Sequence, residues 1–472
     1  MILAAGKGTR MRSQKSKVLH EVAGAPLVAY PVKAAQALGA NPIVCVLGHQ
    51  IDEVSRVLSA RFGAEAIRVA AQHEQRGTGH AVALGLEPLS GFSGLVLILY
   101  GDVPLLREST LARMVDAAAK GTLVMLTARV AHPSGYGRIV RNEEGRVERI
   151  VEDRDATEAQ KLICEVNAGI YVAPAAFLRE ATAKLSPQNA QGELYLTDIV
   201  PQAAATIGVE TVDVDPEEMA GINDRAQLVQ AEAVMRARIN AHAMELATLR
   251  APETVRIDSD VVIEADVEIE PNVTLRGRTR IGAGAFIGQG CVLTDTVVGP
   301  GTEMKPYTVA DQAIVGARCK LGPFAHLRPG TDLADDVHVG NFVETKKTRI
   351  GKGSKANHLA YLGDTIVGER VNIGAGTITC NYNGFEKRQT IIEDGAFIGS
   401  DTQLVAPVRV GPNAIVAAGA TITQEVPAGA LAITRVAQTH LEGYAARLKA
   451  RYADREKTAA EKGKPPRTDN HD

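Results

Sequence analysis

The chain has 472 residues, with 52 Lys+Arg against 55 Asp+Glu and a formal net charge of −3; at about 150 residues per domain the length predicts roughly three units. The near balance of charge gives no support to a nucleic-acid binder, which would show a basic excess or patch. Hydrophobic residues at 45% mark a globular chain, no apolar run reaches the ~18 residues of a membrane span, and the amino terminus lacks the apolar core of a secretory signal, so a cytoplasmic protein is expected.

Residues 1–223 read as alternating strands and helices. A short strand, Met1-Ile2-Leu3, runs into Ala4-Ala5-Gly6-Lys7-Gly8-Thr9-Arg10-Met11, with Lys15 and Lys17 close behind and no carboxylate before Glu21. Glycines after a strand let backbone N–H groups approach an anion, and the basic side chains add to its neutralisation. The glycine spacing matches neither the dinucleotide-binding nor the P-loop pattern. Apolar runs at Ile43-Val44-Cys45-Val46-Leu47, Leu95-Val96-Leu97-Ile98-Leu99 and Leu123-Val124-Met125-Leu126 suit buried strands. Amphipathic stretches, such as Glu53 to Phe62 and Ser109 to Ala119, suit helices between them. That alternation predicts an α/β domain on a mostly parallel, Rossmann-like sheet.

Residues 224–250 contain no Gly or Pro and place Leu228, Met235, Ile239 and Leu246 at near-helical spacing, which predicts a linker helix. From 251 to 445 the period changes to six. Ile263, Ile269, Leu275, Ile281, Ile287 and Leu293 form one series, Val315 to Val339 a second, and Ile392 to Ile422 a third. A sixfold aliphatic repeat with interspersed Gly is the signature of a parallel β-helix, three hexads to each 18-residue coil. An aliphatic core of that kind agrees with only 4% aromatics and no Trp. The polar run Asn381-Tyr382-Asn383-Gly384-Phe385-Glu386-Lys387-Arg388 interrupts the repeat, and loops on rigid scaffolds commonly carry sites. Residues 446–472 are charged, contain Pro465-Pro466 and are expected to be disordered. The five cysteines (Cys45, Cys164, Cys291, Cys319, Cys380) are odd in number and lack metal-type spacing, so free thiols are expected.

Several motifs then occur in one order. LAAGKGTRM with KVL is followed by Gln72, Gln75-Arg76-Gly77-Thr78-Gly79-His80-Ala81, Tyr100-Gly101-Asp102-Val103-Pro104 and Gly135-Tyr136-Gly137-Arg138-Ile139. Ile150-Val151-Glu152, Glu165-Val166-Asn167-Ala168-Gly169, Asn189 to Glu193, Tyr195 to Asp198 and Gly221 to Arg225 complete the series. This set resembles the sugar-1-phosphate nucleotidyltransferases. With the hexapeptide region behind it, the chain to about residue 445 is similar to the family of bifunctional N-acetylglucosamine-1-phosphate uridyltransferase/glucosamine-1-phosphate acetyltransferases. In that family the β-helix is left-handed and the molecule is a homotrimer.

By that resemblance Leu3, Ala4, Ala5, Gly6, Arg10, Lys17, Gln72, Gly77, Thr78, Tyr100, Gly101 and Asp102 would contact UTP or the nucleotide product. Asp102 and Asn223 would hold Mg²⁺, and Gly137, Glu152 and Asn167 the amino sugar. One carboxylate and one amide suit a hard cation that keeps phosphate and water ligands. In the β-helix His358, within Asn357-His358-Leu359-Ala360-Tyr361-Leu362-Gly363-Asp364, would be the base of acetyl transfer, with Glu344 as the candidate to orient it. Arg328, Lys346 and Tyr361 would bind the phosphate of glucosamine-1-phosphate, and Asn372, Asn381 and Tyr382 would line the sugar and acetyl pocket. Ala375, Ser400, Ala418 and Arg435 would contact acetyl-CoA, and Lys387 would reach a neighbouring subunit's site. Two departures stand out: Ser16 replaces the proline that usually precedes the family lysine, and the first strand starts at Met1, where family members carry a few more residues. The alternatives are a monofunctional nucleotidyltransferase whose β-helix only oligomerises or regulates, and, more remotely, a non-enzymatic β-helical module. The His358–Tyr361 segment and the phosphate-type loop speak against them.

Overall fold

The computed structural model describes residues 1–461. The amino-terminal sheet runs, in spatial order, Val209–Asp213, Leu123–Arg129, Glu165–Pro174, Leu95–Tyr100, Ile2–Ala4, Ile43–Leu47 and Ile67–Ala71. All these pairs are parallel except those made by Glu165–Pro174, which runs antiparallel to both neighbours. The continuous apolar runs read from the sequence are the central strands, as expected where helices cover both faces. Val44, Val124 and Leu126 are fully buried. Ile2 pairs with Cys45 on one side and Leu99 on the other, so the first strand is central and its carboxyl end opens beside those of its neighbours. An outlying hairpin, Arg138–Arg141 with Val147–Val151, pairs with Glu165–Pro174 through Val166 and Arg138, and walls one side of that opening.

The linker helix spans Arg225–Ala243, capped at its start by the Asp224 carboxylate accepting from Gln227 N at 2.9 Å. It ends before residue 250 because Thr248–Leu249 already pairs with Glu268–Ile269 as the first strand of the next domain. Asn240 holds that junction: its Nδ2 donates to the Pro252 and Val255 carbonyls at 2.7 and 3.1 Å. The helix is also a bracket. Arg238 donates to Leu105 O at 2.6 Å, Arg236 to Ile257 O at 3.0 Å, and Asp260 of the first coil pairs with both Lys33 and Arg61 of the α/β domain.

The second domain is the expected parallel β-helix, with each short strand stacked on the one a coil earlier. Arg256 pairs with Thr274 and Val262 with Arg280, 18 residues on. The offset falls to 17 where Ile281 pairs with Val298, because the buried aliphatics Leu293 and Val298 are separated by five residues rather than six. A second five-residue step, from Ala310 to Val315, completes the two-residue register shift between the sequence series. Ile269, Leu275, Ile281 and Ile287 form one stacked core, each fully buried aliphatic contributing about 1.5–3 kcal/mol. The aliphatic period does not reveal the buried hydroxyls of Thr279, Thr308, Thr331 and Thr377, which donate to carbonyls three residues back at 2.7–2.8 Å. They satisfy backbone oxygens where each side turns. The interruption expected around residue 381 is an inserted loop: Tyr361 pairs with Ile378, 17 residues on, but Ile378 pairs with Gln403, 25 on.

The tail departs from expectation. Tyr444–Glu461 is helical, since a run rich in Ala, Arg, Lys and Glu has high helix propensity even without a core to pack on. Residues 462–472, with Pro465-Pro466, lie outside the described residues. All five cysteines are free, with Cys45, Cys291 and Cys319 buried, and no helix among the described residues is long and apolar enough to cross a membrane.

Candidate functional sites

A cleft of about 290 Å³ opens at the carboxyl ends of the parallel strands, lined by Leu3, Ala4, Ala5, Gly6, Lys17, Gln72, Gly77, Thr78, Tyr100 and Asp102. In open parallel sheets this edge is where ligands bind. The loop after the first strand is shaped by Gly8, whose φ is +59° and whose position leaves no room for a side chain. A Cβ there would lie 2.5 Å from Cβ of Lys17. Lys17 begins a short 3-10 turn, Lys17–Leu19, and its ammonium enters the cleft at 2.5 Å from Asp102 Oδ2 and 3.3 Å from Asn223 Oδ1. Arg10 also donates to Asn223 Oδ1, at 2.9 Å. Gly101 N donates to Leu3 O at 2.9 Å, which ties the Asp102 turn to the first strand. Gln72 is buried and donates to Gly77 O at 3.2 Å, while Thr78 Oγ1 accepts from Leu196 N at 3.1 Å.

The sugar-type residues cluster beside this cleft, Gly137 and Glu152 at the ends of the outlying hairpin and Asn167 on the strand it pairs with. Asn167 N donates to Gly137 O at 2.9 Å, Asn167 Nδ2 to Tyr171 Oη at 2.7 Å, and Thr197 Oγ1 to Glu152 Oε1 at 3.1 Å. Burial raises the Glu152 carboxyl above the usual carboxylate range; the Thr197 hydrogen bond opposes this, and the charges of Asp155, Asp198 and Asp153 add to it. Tyr100 joins the two groups, its phenol pushed up by burial and then by the charges of Asp102 and Glu152. Val18, Gln75, Ala81 and Glu193 also line the cleft. Gln75, Ala81 and Glu193 lie inside the sequence motifs, but nothing in their type set them apart from the neighbours.

The donor set suits a hard cation. Asp102 Oδ2 and Asn223 Oδ1 converge on one point, which the Lys17 ammonium now fills. Among the described residues no group of three or more His, Cys, Asp or Glu could hold a metal, so any cation here would be completed by phosphate oxygens and water.

On the β-helix the expected residues form two neighbouring features. The first is a column along one corner. His358 pairs in register with Asn341, and hydrogen bonds of 2.7–2.8 Å from Gly376 N to Leu359 O, Asp401 N to Ala375 O and Gly419 N to Ser400 O stack the coils that follow. Ala375, Ser400 and Ala418 thus occupy equivalent places below His358, and Arg435 closes the column by donating to Ala418 O at 2.7 Å. With strands ~4.8 Å apart, the column extends roughly 19 Å below His358. The small side chains leave a shallow track for an extended ligand.

The second feature is cationic. Arg328 forms an ion pair with Glu344 at 2.6 Å. Lys346 is pushed below the ordinary lysine value, first by its hydrogen-bonding contact with Lys387 and then by that ammonium's charge; Arg328 adds to the effect and Asp364 opposes it. Gly363, which pairs with Lys346, leaves room for Tyr361: a Cβ there would sit 2.4 Å from the Tyr361 hydroxyl and 2.8 Å from Asn381 Nδ2. Asn381 donates to Asp364 at 2.5 Å, and Tyr382, exposed, donates to Gly384 O at 2.6 Å. Asn372 lies half-buried one coil below Lys355.

One expectation changes. Glu344 does not orient His358: its carboxylate is taken by Arg328, and the side chain in contact with the imidazole is Asn341, with Oδ1 3.3 Å from Nδ1. Within the single chain, Lys387 also lies against Lys346. The inserted segment folds back, with Arg388 N donating to Asn381 O at 2.8 Å and Tyr382 bridging to Lys387.

The fold and sites together define a nucleotidyltransferase domain joined to a hexapeptide transferase β-helix. Family models agree: a MobA-like NTP transferase domain matches residues 1–168, a GMPPB C-terminal domain 252–351, and the six-repeat bacterial transferase hexapeptide 389–424. The chain is 53% identical over 451 residues to the bifunctional protein GlmU of Anaeromyxobacter sp. (strain Fw109-5), covering 95% of this chain and 93% of that one. It is 52% identical to GlmU of Sorangium cellulosum, covering 96% and 97%, and 50% identical to that of Trichlorobacter lovleyi, covering 94% and 97%. The chain belongs to the GlmU family. It is a bifunctional enzyme, with a uridyltransferase in the amino-terminal domain and an acetyltransferase in the β-helix.

Proposed function

We propose that the β-helix transfers acetyl from acetyl-CoA to the amine of glucosamine-1-phosphate. The amino-terminal domain then joins N-acetylglucosamine-1-phosphate to UTP and releases pyrophosphate. The observation that carries this reading is the placement of His358 at the head of a column of small residues and close in sequence to the cationic cluster. The track fits a pantetheine chain with its thioester at the His358 end. Arg328, Lys346 and Lys387, only partly neutralised by carboxylates, fit the sugar phosphate, with Tyr361 alongside. In the tautomer whose Nδ1–H donates to Asn341, Nε2 keeps a lone pair to take a proton from the substrate ammonium. The free amine attacks the thioester carbon, the C–N bond forms, and the C–S bond breaks to release the thiol.

In the amino-terminal cleft a sugar-phosphate oxygen attacks the α-phosphorus of UTP and pyrophosphate leaves. The task is to bring two polyanions together and neutralise their charge, which is positioning and electrostatics. The Gly6–Gly8 loop and Lys17 hold phosphates, Gln72 and Gly77 meet the uracil side, and Glu152 with Asn167 orients the amino sugar. Asp102 and Asn223 would hold Mg²⁺, which supplies charge neutralisation when bound. The assembly is a homotrimer: an inserted loop that leaves Phe385 95% exposed, and the exposed stack of Tyr307, Phe324 and Phe342, with neighbouring ring centroids 5.3 and 5.5 Å apart, fit surfaces covered by further copies.

Incubation with glucosamine-1-phosphate, acetyl-CoA, UTP and Mg²⁺, with free thiol and pyrophosphate assayed separately, tests the reading. Both products are expected. Pyrophosphate from N-acetylglucosamine-1-phosphate without thiol release from glucosamine-1-phosphate would overturn the acetyl-transfer half. Light scattering on the intact protein should give a trimer mass, and a monomer would refute the assembly.

A further inference from the structure

Four charged or polar side chains converge at one point of the amino-terminal cleft, and the reaction explains only part of their arrangement. Lys17 Nζ stands 2.5 Å from Asp102 Oδ2 and 3.3 Å from Asn223 Oδ1, and Arg10 donates to the same Asn223 oxygen at 2.9 Å. The pair is well screened from solvent, with the Lys17 and Asp102 side chains 11% and 19% exposed. The Lys17 backbone is fixed: Leu19 N donates to Ser16 O at 3.0 Å, His20 N to Lys17 O at 3.2 Å, and the Gly8 backbone is packed against the Lys17 Cβ. Only the side chain beyond that anchor is free to swing.

A lysine that serves solely to hold phosphate has no need to touch both oxygens expected to hold a metal. An Asp102 carboxylate in a half-closed cleft does need a counter-ion when the cleft is empty, since an unpaired charge there is costly. Resting on the reading that Asp102 and Asn223 hold the divalent cation, we propose that Lys17 is the internal counter-ion of that site. With no nucleotide bound, its ammonium fills the position a divalent cation would take, so the cation binds well only together with a nucleotide whose phosphates draw the ammonium away.

The consequence is a coupling between two ligands. A divalent ion arriving alone must evict an ammonium that has no other partner, and then sits near its displaced charge. A nucleotide arriving with the ion offers phosphate oxygens to Lys17, so the same displacement exchanges one ion pair for another. By linkage each ligand strengthens the other's binding to the same degree. The arrangement also keeps Asp102 and Asn223 converged in the empty cleft, so the metal position exists before the metal arrives.

The test uses Mn²⁺ as the probe, read from the electron paramagnetic resonance of the free ion, on the full-length protein. In the absence of nucleotide, Lys17→Met and Lys17→Gln should each bind Mn²⁺ about tenfold more tightly than the wild type, the scale of a partly buried ion pair. Asp102→Asn added to Lys17→Met should abolish the gain. Thermal melting shows whether each variant is folded, and the glutamine variant covers the case in which methionine disturbs the cleft. Mn²⁺ binding by both folded variants that is no tighter than wild type overturns the proposal. A separate arm isolates the underlying reading: with UDP-N-acetylglucosamine present, Asp102→Asn should lose the Mn²⁺ that the wild type retains. Loss there with unchanged Lys17 variants leaves the metal assignment standing and removes this inference alone; retention there removes both.

Discussion

The two sites of this molecule are built by opposite means. The nucleotide cleft gathers residues from distant parts of the chain, Lys17, Gln72, Asp102 and Glu193, and closes them behind strand ends, so its charges are paired and screened. The β-helix site takes residues at a fixed interval and lines them along one corner, open to solvent, where Arg328 and Glu344 are both more than a third exposed. The first gains strength from low dielectric and preorganised partners. The second gains precision from register, because a rigid stack fixes spacing along an extended ligand without enclosing it. A site of that open kind invites completion by a neighbouring copy.

The largest effects should separate the two sites. Asp102→Ala should lower uridyl transfer by on the order of 10²–10³-fold and leave acetyl transfer unchanged, since the nearest β-helix contacts run through Asp260 rather than this cleft. His358→Ala should lower acetyl transfer by about 10²–10⁴-fold and spare uridyl transfer from preformed N-acetylglucosamine-1-phosphate. Separate thiol and pyrophosphate assays check both. Loss of both activities in either folded variant would break the claim of two independent sites.

A smaller effect tests the column. Ala418→Leu puts a branched side chain onto the track three coils below His358, where Gly419 N is already bonded to Ser400 O. The KM for acetyl-CoA should rise about tenfold, as expected when roughly 1.4 kcal/mol of binding is lost, with kcat changed far less because the reacting end is remote. An equal fall in kcat at unchanged KM would show that the ligand does not run along this corner.

Much of this was legible in advance because the signals were periodic or ordered. Central strands such as Ile43–Leu47 announced themselves as continuous apolar runs, and the aliphatic sixfold repeat gave the β-helix. What escaped was contact. Nothing in a sequence says that Glu344 turns to Arg328 and leaves His358 to Asn341, because both carboxylate and amide lie within reach on the same strand, His338–Ile350. Composition is equally silent on how the inserted loop folds back, with Arg388 N bonded to Asn381 O and Lys387 against Lys346 of the same chain. The tail helix, Tyr444–Glu461, rests on propensity alone, with no repeat or motif order to announce it.

Glu152 offers a pH test of burial against charge in the closed site. Burial raises its carboxyl above the unfolded value, so the native state binds the proton more tightly. Its contribution favours folding below the unfolded pKa and is lost as pH rises through the native value. Glu152→Gln carries no such penalty. Its stability relative to wild type should therefore be higher at pH 8 than at pH 4 in urea unfolding followed by circular dichroism. A difference independent of pH would mean that the carboxyl is solvated after all.

The smallest predicted effect lies beside Lys17. Ser16 stands where the family usually has proline, yet its backbone already holds φ −52° and ψ 137°, within the range that a pyrrolidine ring imposes. Its carbonyl accepts from Leu19 N at 3.0 Å, while its own N–H has no acceptor among the described residues, so proline would remove no bond there. Ser16→Pro should thus stabilise the protein by about 0.4–1 kcal/mol, mainly by restricting the unfolded chain. The same change should leave the Lys17 ammonium where it is, because the turn that carries it is already formed. A melting temperature that rises while uridyl transfer stays constant fits this account; a fall would mean that the buried Ser16 site cannot take the ring, and that the loop has adapted to serine at a cost that the backbone angles do not reveal.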